Sequence, residues 1–337
     1  MSDLPGTEFP AAGEPAAQLA FAARYAVLAP SSHNSQPWRF VIHGDRLDLK
    51  ADRARALPVV DPDDRELGIS CGAALFHLRA ALQHFGYAAA VELSPASVDP
   101  DLVATVHRGE RRAPTADDER LFAAIDLRHT NRAPFAARDV PEALRFALID
   151  AAHREGAWLY VTTGLAKEAL ATLISEADRR QMDDPRFRRE LASWLHPNRS
   201  ELGDGMPGYT QGLSDLASRF APLIVRTFDR GGNQAAKDHQ LAVGSPLLVV
   251  LGTDGDEERD WLRAGQALSR VLLDATASGL AASFLNQPVE LADLRARLAE
   301  ILGKSGHPQL VLRLGYPLAQ AQATPRRALA EVVREAP

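Results

Sequence analysis

Two short polar segments carry residue types that could bind a charged or heterocyclic ligand. In "RHTNR", Arg128, Thr130 and Arg132 alternate, and His129 lies between them. Alternate residues of an extended segment point to the same side, and guanidinium groups offer forked donors to phosphate oxygens. The segment therefore predicts a phosphate site. The alternative is a charged turn in solvent.

The second segment, "PSSHNSQPW", begins at Pro30. Its side chains that both donate and accept hydrogen bonds include Ser31, Ser32, Asn34 and Gln36. Such groups suit the edge of a heterocycle that carries both hydrogen-bond donors and acceptors. The alternative is a loop whose polar side chains form hydrogen bonds within the loop. Near the C-terminus, "TPRRAL" adds Arg326 and Arg327, which alone fit either a phosphate site or solvent.

Hydrophobic periodicity predicts the elements that must position these segments. Apolar residues at helical spacing predict a helix over 16–28. The stretches 38–44 and 46–52 predict strands that flank a Gly44–Asp45 turn. A helix is predicted from about Pro62 to Gly86, and its portion from Ile69 to Leu82 is apolar nearly all round, which is typical of a buried helix. The remaining predicted elements are strands at 87–93, 101–107, 158–162, 246–252, 280–285 and 309–315, and helices at 117–128, 141–154, 164–181, 256–278 and 290–302.

Two segments lack a regular pattern. Residues 1–15 are acidic and rich in proline and glycine, which predicts a disordered leader and not a signal peptide. Residues 182–236 differ from their surroundings, because a set of glycines and a proline is expected to break regular elements: Gly203, Gly205, Pro207, Gly208, Gly231 and Gly232. We predict that this segment is an insertion with partial helix content that acts as a lid.

Composition excludes several classes of function. The net charge of −6 argues against nucleic acid or an anionic membrane as the main partner. No apolar run reaches the length of a membrane span, and the single Cys71 excludes an internal disulfide and a cysteine-based metal cluster. The sequence "GISCG" at 68–72 fits a nucleophile pattern, but it lies in a predicted helix, so packing roles are favoured for Ser70 and Cys71. A cytoplasmic protein without a metal site is expected.

The chain also repeats itself. Residues 63–91 align without a gap with residues 256–284, and the order of helix, strand, long helix and strand occurs twice. The identities pair Asp63, Gly72, Ala74, Leu75, Gly86 and Ala88 with Asp256, Gly265, Ala267, Leu268, Gly279 and Ala281. We predict two repeats, 16–115 and 116–337, each with one polar motif that the other lacks. Where repeat one has the polar loop, repeat two has "AAHREG", which we expect to face the acidic leader.

Together these motifs resemble the FMN-dependent nitroreductase family, and the two repeats resemble its fused, Acg-like branch. The resemblance rests on "PSSHNSQPW", on Arg128–Thr130, on "GLAASFLNQP" and on the closing "LGYPLAQAQATPRR". It implies the α+β nitroreductase-like fold, with two tandem repeats forming an intrachain pseudo-dimer. It also implies one FMN per chain in a monomer, and leaves further dimerisation open.

The resemblance further implies which residues bind FMN. The residues implied to bind the FMN phosphate are Arg128, His129, Thr130 and Arg132, together with Arg326 and Arg327 of the basic tail. The residues implied to bind the flavin ring are Pro30, Ser31, Ser32, Asn34 and Gln36. The backbone of Ser283, Phe284 and Leu285 is expected near flavin N5, and Lys237 near the pyrimidine side. No catalytic acid or base and no metal ligand is implied.

The implied activity is an oxidoreductase that passes electrons from NAD(P)H through FMN to a small-molecule acceptor such as a nitroaromatic or a quinone. The alternative is a flavin-sequestering protein, in which a closed lid leaves little or no turnover. Both functions need the same flavin contacts, so the sequence leaves both open.

Overall fold

The computed structural model describes residues 8–93, 99–227 and 231–336. Its strands are β1 (Trp38–His43), β2 (Arg46–Ala51), β3 (Tyr87–Leu93), β4 (Leu102–Arg111), β5 (Trp158–Val161), β6 (Leu195–His196), β7 (Met206–Pro207), β8 (Leu247–Thr253), β9 (Ala281–Phe284), β10 (His307–Gly315) and β11 (Val333–Glu335). The six predicted strands outside the hairpin correspond to β3, β4, β5, β8, β9 and β10.

The helices are α1 (Pro15–Ala26), α2 (Arg65–His84), α3 (Ala116–Ile125), α4 (Glu142–Arg154), α5 (Gly164–Asp183), α6 (Pro185–Ser193), α7 (Asp215–Thr227), α8 (Gly231–Gly244), α9 (Glu258–Ala277), α10 (Ala292–Leu302) and α11 (Leu329–Val332). Ser70 and Cys71 lie inside α2, as predicted, and Ser70 Oγ donates to the Glu66 carbonyl. No helix in the described ranges has the length and apolar character needed to cross a membrane.

The two main sheets have corresponding strand orders. One sheet runs β11-β1-β2-β4-β3, and the other runs β5-β8-β10-β9. If β1, β2, β3 and β4 are matched with β5, β8, β9 and β10, both orders agree, and β11 is an addition to the first sheet. The matched glycines Gly86 and Gly279 follow α2 and α9 and have φ of 85° and 78°, where glycine carries no Cβ penalty. This mixed α and β architecture agrees with the nitroreductase-like fold class.

Helices α2 and α9 cross at the two glycines that the repeat alignment pairs. A Cβ atom on Gly72 would lie 2.2 Å from the Leu262 carbonyl oxygen, and one on Gly265 would lie 2.0 Å from the Ile69 carbonyl oxygen. Ile69 and Leu262 are themselves matched in the same alignment, so the two contacts are reciprocal. Reciprocal contacts are the mark of an approximate two-fold relation, and here they bring two backbones together.

We expect Gly265→Ala to destabilise the protein because the new methyl group would overlap the α2 backbone. Overpacking of this kind costs about 1–3 kcal/mol, which a lower thermal unfolding midpoint would report. Gly244→Ala is the matched control, since no atom lies within 4 Å of a Cβ at Gly244. An unchanged midpoint for Gly265→Ala would contradict the close helix crossing.

The predicted disordered leader is wrong for its described part. The Phe9 ring stacks on Phe85 with 4.3 Å between ring centroids. The Gln18 side-chain amide donates to the carbonyls of Pro10 and Gly13 at 3.0 and 3.2 Å. An aromatic anchor and a buried amide therefore fix residues 9–13 on repeat one. Residues 1–7 lie outside the described residues.

The C-terminal tail contains an element that the sequence analysis missed. Strand β11 pairs in parallel with β1, with Phe40 opposite Val333. The end of repeat two therefore completes the sheet of repeat one, and the preceding "TPRR" segment is carried to the polar loop. A three-residue strand has no measurable periodicity, so only its remote partner defines it.

The predicted insertion contains more regular structure than its composition suggests. Helices α6 and α7 and the parallel pair β6–β7 lie within 182–236. The prediction that Pro207, Gly231 and Gly232 break regular elements is wrong, because β7 contains Pro207 and α8 begins at Gly231. The first residues of a helix need no backbone donors within that helix, so glycines are tolerated there.

Candidate functional site

A cavity of about 1010 Å³ is lined by the polar loop, the "RHTNR" segment, the insertion and the C-terminal tail. Its size is at the upper end of the range of about 300–1,000 Å³ that is usual for ligand sites. Of the predicted site residues, the cavity wall includes Pro30, Ser31, Ser32, Asn34, Arg128, His129, Thr130, Arg132, Lys237, Ser283, Phe284, Leu285 and Arg326. Segments far apart in the sequence therefore meet at one place.

Gln36 and Arg327 lie outside this wall. The Gln36 amide donates to the Gly203 carbonyl at 2.8 Å, and its Oε1 accepts from the Arg327 backbone N–H at 2.9 Å. These two residues join the loop to the insertion and to the tail. Direct contact of either side chain with a flavin stays a prediction.

Two buried guanidinium groups form one end of the cavity. Arg128 and Arg326 both donate to the Leu28 carbonyl, at 3.1 and 3.2 Å. Among the described residues, neither guanidinium has a carboxylate within 4.0 Å. Burial, together with repulsion from Arg326, lowers the pKa of Arg128 to about 9. A buried cation without a counterion is unfavourable, so this end of the cavity is suited to an anionic ligand.

The neighbouring histidines add no charge at neutral pH. Burial, together with repulsion from the cations Arg128 and Arg326, lowers the pKa of His129 to about 4. Burial is also the main reason that the pKa of His77 falls to about 3. The positive potential at this end therefore comes from the two arginines.

The "RHTNR" segment is held against strands β9 and β10 of repeat two by backbone pairing and by Arg313. Thr130 forms an isolated parallel bridge with Ala282, and the Asn131 N–H donates to the Ala282 carbonyl at 2.8 Å. Arg313 is 1% exposed, and it donates to the carbonyls of Asn131 and Ala133 at 3.1 Å. The sequence analysis missed Arg313, although a single charge in the apolar strand "QLVLRLG" was a signal.

The polar loop adopts a strained backbone. His33, Asn34 and Gln36 have φ values of 53°, 56° and 52°, in the left-handed region that non-glycine residues seldom occupy. Each such residue costs on the order of 1 kcal/mol and persists only where its surroundings hold it. Strain of this kind is concentrated at functional sites, which agrees with a loop at the cavity wall.

Asn34 is the residue through which the loop contacts the other segments. Its side-chain N–H₂ donates to the carbonyls of Gly205 and Pro325 at 2.9 and 3.1 Å, and its Oδ1 accepts from Arg326 at 3.0 Å. The three bonds connect repeat one, the insertion and the C-terminal tail. The Asn34 amide thus positions Arg326, and its predicted direct bonding to a heterocycle stays a prediction.

We expect Asn34→Ala to weaken ligand binding at the Arg326 end and to lower thermal stability. Leaving buried partners unsatisfied costs about 1–3 kcal/mol. Asn198→Ala is a matched control, because Asn198 bonds to the Leu213 carbonyl and to Asp215 and lies outside the cavity wall. The control should lose stability but keep its affinity. Equal affinity of both variants in a flavin titration would refute the positioning role.

Comparisons with known proteins decide the family. The nitroreductase family model matches residues 125–316, which is more than half of the chain. A Mycobacterium tuberculosis protein named as an NAD(P)H nitroreductase, Rv3131, is 35% identical over 91% of this chain and 88% of its own length. The chain belongs to the nitroreductase family.

The chain is also similar to two further proteins. The M. tuberculosis protein named as the NAD(P)H nitroreductase acg is 30% identical to this nitroreductase-family chain, over 92% of the chain and 93% of its own length. The crystal structure of the FMN-dependent nitroreductase NfnB from Mycobacterium smegmatis is 21% identical, with a TM-score of 0.43. It covers 65% of this chain and 97% of the NfnB chain. The M. tuberculosis relatives thus match along nearly all of their own length.

The cavity of this nitroreductase-family member also has an acidic end, which the sequence analysis missed. Gln287 Nε2 donates to Asp178 Oδ1 at 2.9 Å and to Asp238 Oδ2 at 3.2 Å. Burial and the Asp238 charge raise the pKa of Asp178 to about 8. A signal was present in the sequence, since Asp178 follows Ile174 by four residues on the buried face of α5.

The insertion covers the cavity with apolar side chains. They include Leu191, Leu195, Met206, Leu216, Phe220 and Ile224. Leu216 and Phe220 on α7 are 68% and 53% exposed, so they face both the cavity and solvent. A role of the insertion as a lid stays a prediction.

In repeat two, the segment that corresponds to the polar loop of repeat one has its charge neutralised by ion pairs within the chain. Glu155, in "AAHREG", pairs with Arg79 at 2.6 Å and with Arg270 at 3.4 Å, and Arg270 also pairs with Asp117. The described part of the leader contacts Phe85 and Gln18 and not this loop, so the prediction that the loop faces the acidic leader is wrong for residues 8–15. Residues 1–7 lie outside the described residues. This position therefore contrasts with the unpaired guanidiniums Arg128 and Arg326.

Proposed function

We propose that this protein binds FMN in the cavity and passes electrons from NAD(P)H to a small organic acceptor such as a nitroaromatic or a quinone. The observation that carries the proposal is the pair of buried guanidiniums, Arg128 and Arg326, which lack a carboxylate partner among the described residues. They lie in the wall of a cavity that also contains the loop and the 283–285 segment. Membership of the nitroreductase family and the NAD(P)H nitroreductase names of its relatives support the same function.

The residues present fit a flavin mononucleotide. The Nε atoms of Arg128 and Arg326 are buried and have no hydrogen-bond partner among the described residues, so both can donate to a phosphate. Two guanidiniums suit a single phosphate group. The apolar wall, with Phe284, Leu285 and Leu268, suits a flat ring system.

The chain's own residues would bind, orient and shield the cofactor. When bound, FMN supplies the hydride and electron transfer chemistry. Arg128 and Arg326 would bind its phosphate, Asn34 would hold Arg326 in place, and Arg313 would hold the "RHTNR" backbone. The apolar side chains of the insertion would keep water away from the ring.

Two measurements test this proposal. Mass analysis of the cofactor released from the purified protein should give FMN. Addition of NADPH without oxygen should then bleach the flavin absorbance, and a quinone should restore it. Release of FAD, or no flavin uptake on reconstitution, would refute the cofactor assignment.

A second function, flavin sequestration, is favoured by the cover. In that case the flavin is held but does not turn over, because the insertion keeps NAD(P)H out. The bleaching experiment separates the two functions, since a sequestering protein binds FMN but is reduced slowly or not at all.

We expect the double variant Leu216→Ser, Phe220→Ser to bleach faster than the wild-type protein. Removing two apolar groups that face the cavity weakens closure of the cover. Leu223→Ser is the matched control, because Leu223 lies on the same helix, is 63% exposed and lies outside the cavity wall. Equal bleaching rates for all three proteins would show that α7 does not limit access.

A further inference from the structure

The strongest feature that the proposed function leaves unexplained is the buried carboxyl pair Asp178 and Asp238. Asp178 is 3% exposed and Asp238 is 6% exposed, and both lie in the cavity wall. One amide, that of Gln287, donates to both carboxyl groups. Asp178 Oδ2 is buried and accepts no hydrogen bond from an N–H or O–H group of any described residue.

The surroundings of the pair leave it short of direct positive partners. Among the described residues, no Lys or Arg nitrogen lies within 4.0 Å of either carboxyl group. The charged groups that influence the pair from neighbouring elements are Arg179 on α5, Lys237 on α8, Arg313 on β10 and Arg132 in the "RHTNR" segment. Glu290, which also lines the cavity, has a pKa raised by its own burial and by Glu66. Two adjacent buried carboxylates cannot both ionise easily, so burial and the Asp238 charge favour a proton on Asp178 at neutral pH.

We propose that the Asp178–Asp238 pair is a proton donor for the acceptor molecule that shares the cavity. The assignment rests on the proposed oxidoreductase function. A carboxyl group that faces a ligand cavity and holds its proton at neutral pH has the properties of a general acid. Gln287 is the positioning residue, because its single amide fixes the distance between the two carboxyl groups.

Reduction of a quinone acceptor to the hydroquinone adds two electrons and two protons. NAD(P)H, the reductant, contributes two electrons and one proton as a hydride equivalent and leaves as NAD(P)⁺. The second proton breaks its bond to a carboxyl oxygen of the pair and forms the O–H bond of the hydroquinone. The pair is then reprotonated from water.

The proton itself can be observed without turnover. Infrared spectroscopy of the purified protein at pH 7 should show a protonated carboxyl band that disappears as the pH rises through about 8, the pKa of Asp178. The band should be missing in Asp178→Asn and present in Asp183→Asn. Asp183 is the control, because it lies at the end of α5, is exposed and lies outside the cavity wall.

Thermal stability gives a second measure of the same proton. The folded protein holds a proton on Asp178 that the unfolded chain releases near pH 4, so the folded state binds more protons between about pH 4 and pH 8. Stability should therefore fall as the pH rises through this window. Asp178→Asn should flatten this dependence, while Asp183→Asn should keep it.

The kinetic test separates this proposal from the proposed function. In Asp178→Asn, quinone reduction at pH 7 should slow by about 10²-fold, and it should slow far more than anaerobic flavin bleaching by NADPH does in the same variant. In the wild-type protein, quinone reduction should decline above about pH 8, and the variant should lose this decline. Asp238→Asn is a second variant that serves if Asp178→Asn fails to fold.

Either of two results would overturn the assignment. One is a wild-type protein whose infrared spectrum has no band that responds to Asp178→Asn. The other is a folded variant that reduces quinone at the wild-type rate with the same pH profile. If the protein binds no flavin, the proposed function fails, but the infrared band and the stability profile still decide whether the pair holds a proton.

Discussion

Arg128→Ala is expected to weaken FMN binding by about 10- to 150-fold without lowering the stability of the flavin-free protein. The loss corresponds to about 1.5–3 kcal/mol for a hydrogen bond to a charged group. The stability of the flavin-free protein should not fall because of the environment of Arg128 in the folded protein. Arg128 is 5% exposed and has no carboxylate partner among the described residues, so its burial opposes folding.

The measurement is a flavin fluorescence titration together with thermal unfolding with and without FMN. The wild-type midpoint should rise with FMN concentration, because a ligand that binds the folded state stabilises it by mass action. The Arg128→Ala midpoint should start at or above the wild-type value and rise little. Arg154→Ala is the control, since Arg154 is exposed and pairs with Asp150 outside the cavity.

The combination of results matters more than either alone. A variant that loses both FMN affinity and flavin-free stability would indicate a structural role for Arg128. A variant that keeps full affinity would show that the phosphate lies elsewhere. Arg326→Ala should resemble Arg128→Ala, and the double variant should deviate from additivity, because the two guanidiniums share the Leu28 carbonyl.

The second large effect is the stoichiometry, which we expect to be one FMN per chain. In a symmetric dimer each subunit carries both halves of a site, so two equivalent sites form. Here the loop with Asn34 belongs to repeat one and the "RHTNR" segment to repeat two. At the equivalent position of the other half, Arg79 and Arg270 are already paired with Glu155. A phosphate there would have to compete with these half-buried ion pairs.

Native mass spectrometry of the reconstituted protein gives the stoichiometry directly. The expected spectrum contains the chain with no FMN and with one FMN, at every flavin concentration. Arg128→Ala should deplete the bound species, while Arg79→Ala should leave it unchanged. A species with two flavins per chain that survives Arg128→Ala would show that the second position is a site after all.

The sequence by itself determined the repeat, the two polar motifs, and the order of the helices and strands outside the insertion and the C-terminal tail. These features are local, because helical periodicity, strand alternation and a run of polar residues are each contained in a short window. The alignment of Gly72 with Gly265 also marked the contact between α2 and α9, because the two helix backbones meet at these glycines in the structure. The family resemblance added the grouping of residues such as Asn34, Arg128 and Ser283, which the cavity brings together.

The tertiary structure alone decided which charges are paired. Arg128 and Arg79 look alike in the sequence, but Arg79 reaches Glu155, and Arg128 reaches no carboxylate among the described residues. Charge pairing depends on which side chains approach across the fold, and no local pattern records that distance. The Asp178–Asp238 pair depends in the same way on the contact of α5 with α8. The tail strand β11 depends on a parallel partner, β1, that lies near the opposite end of the chain.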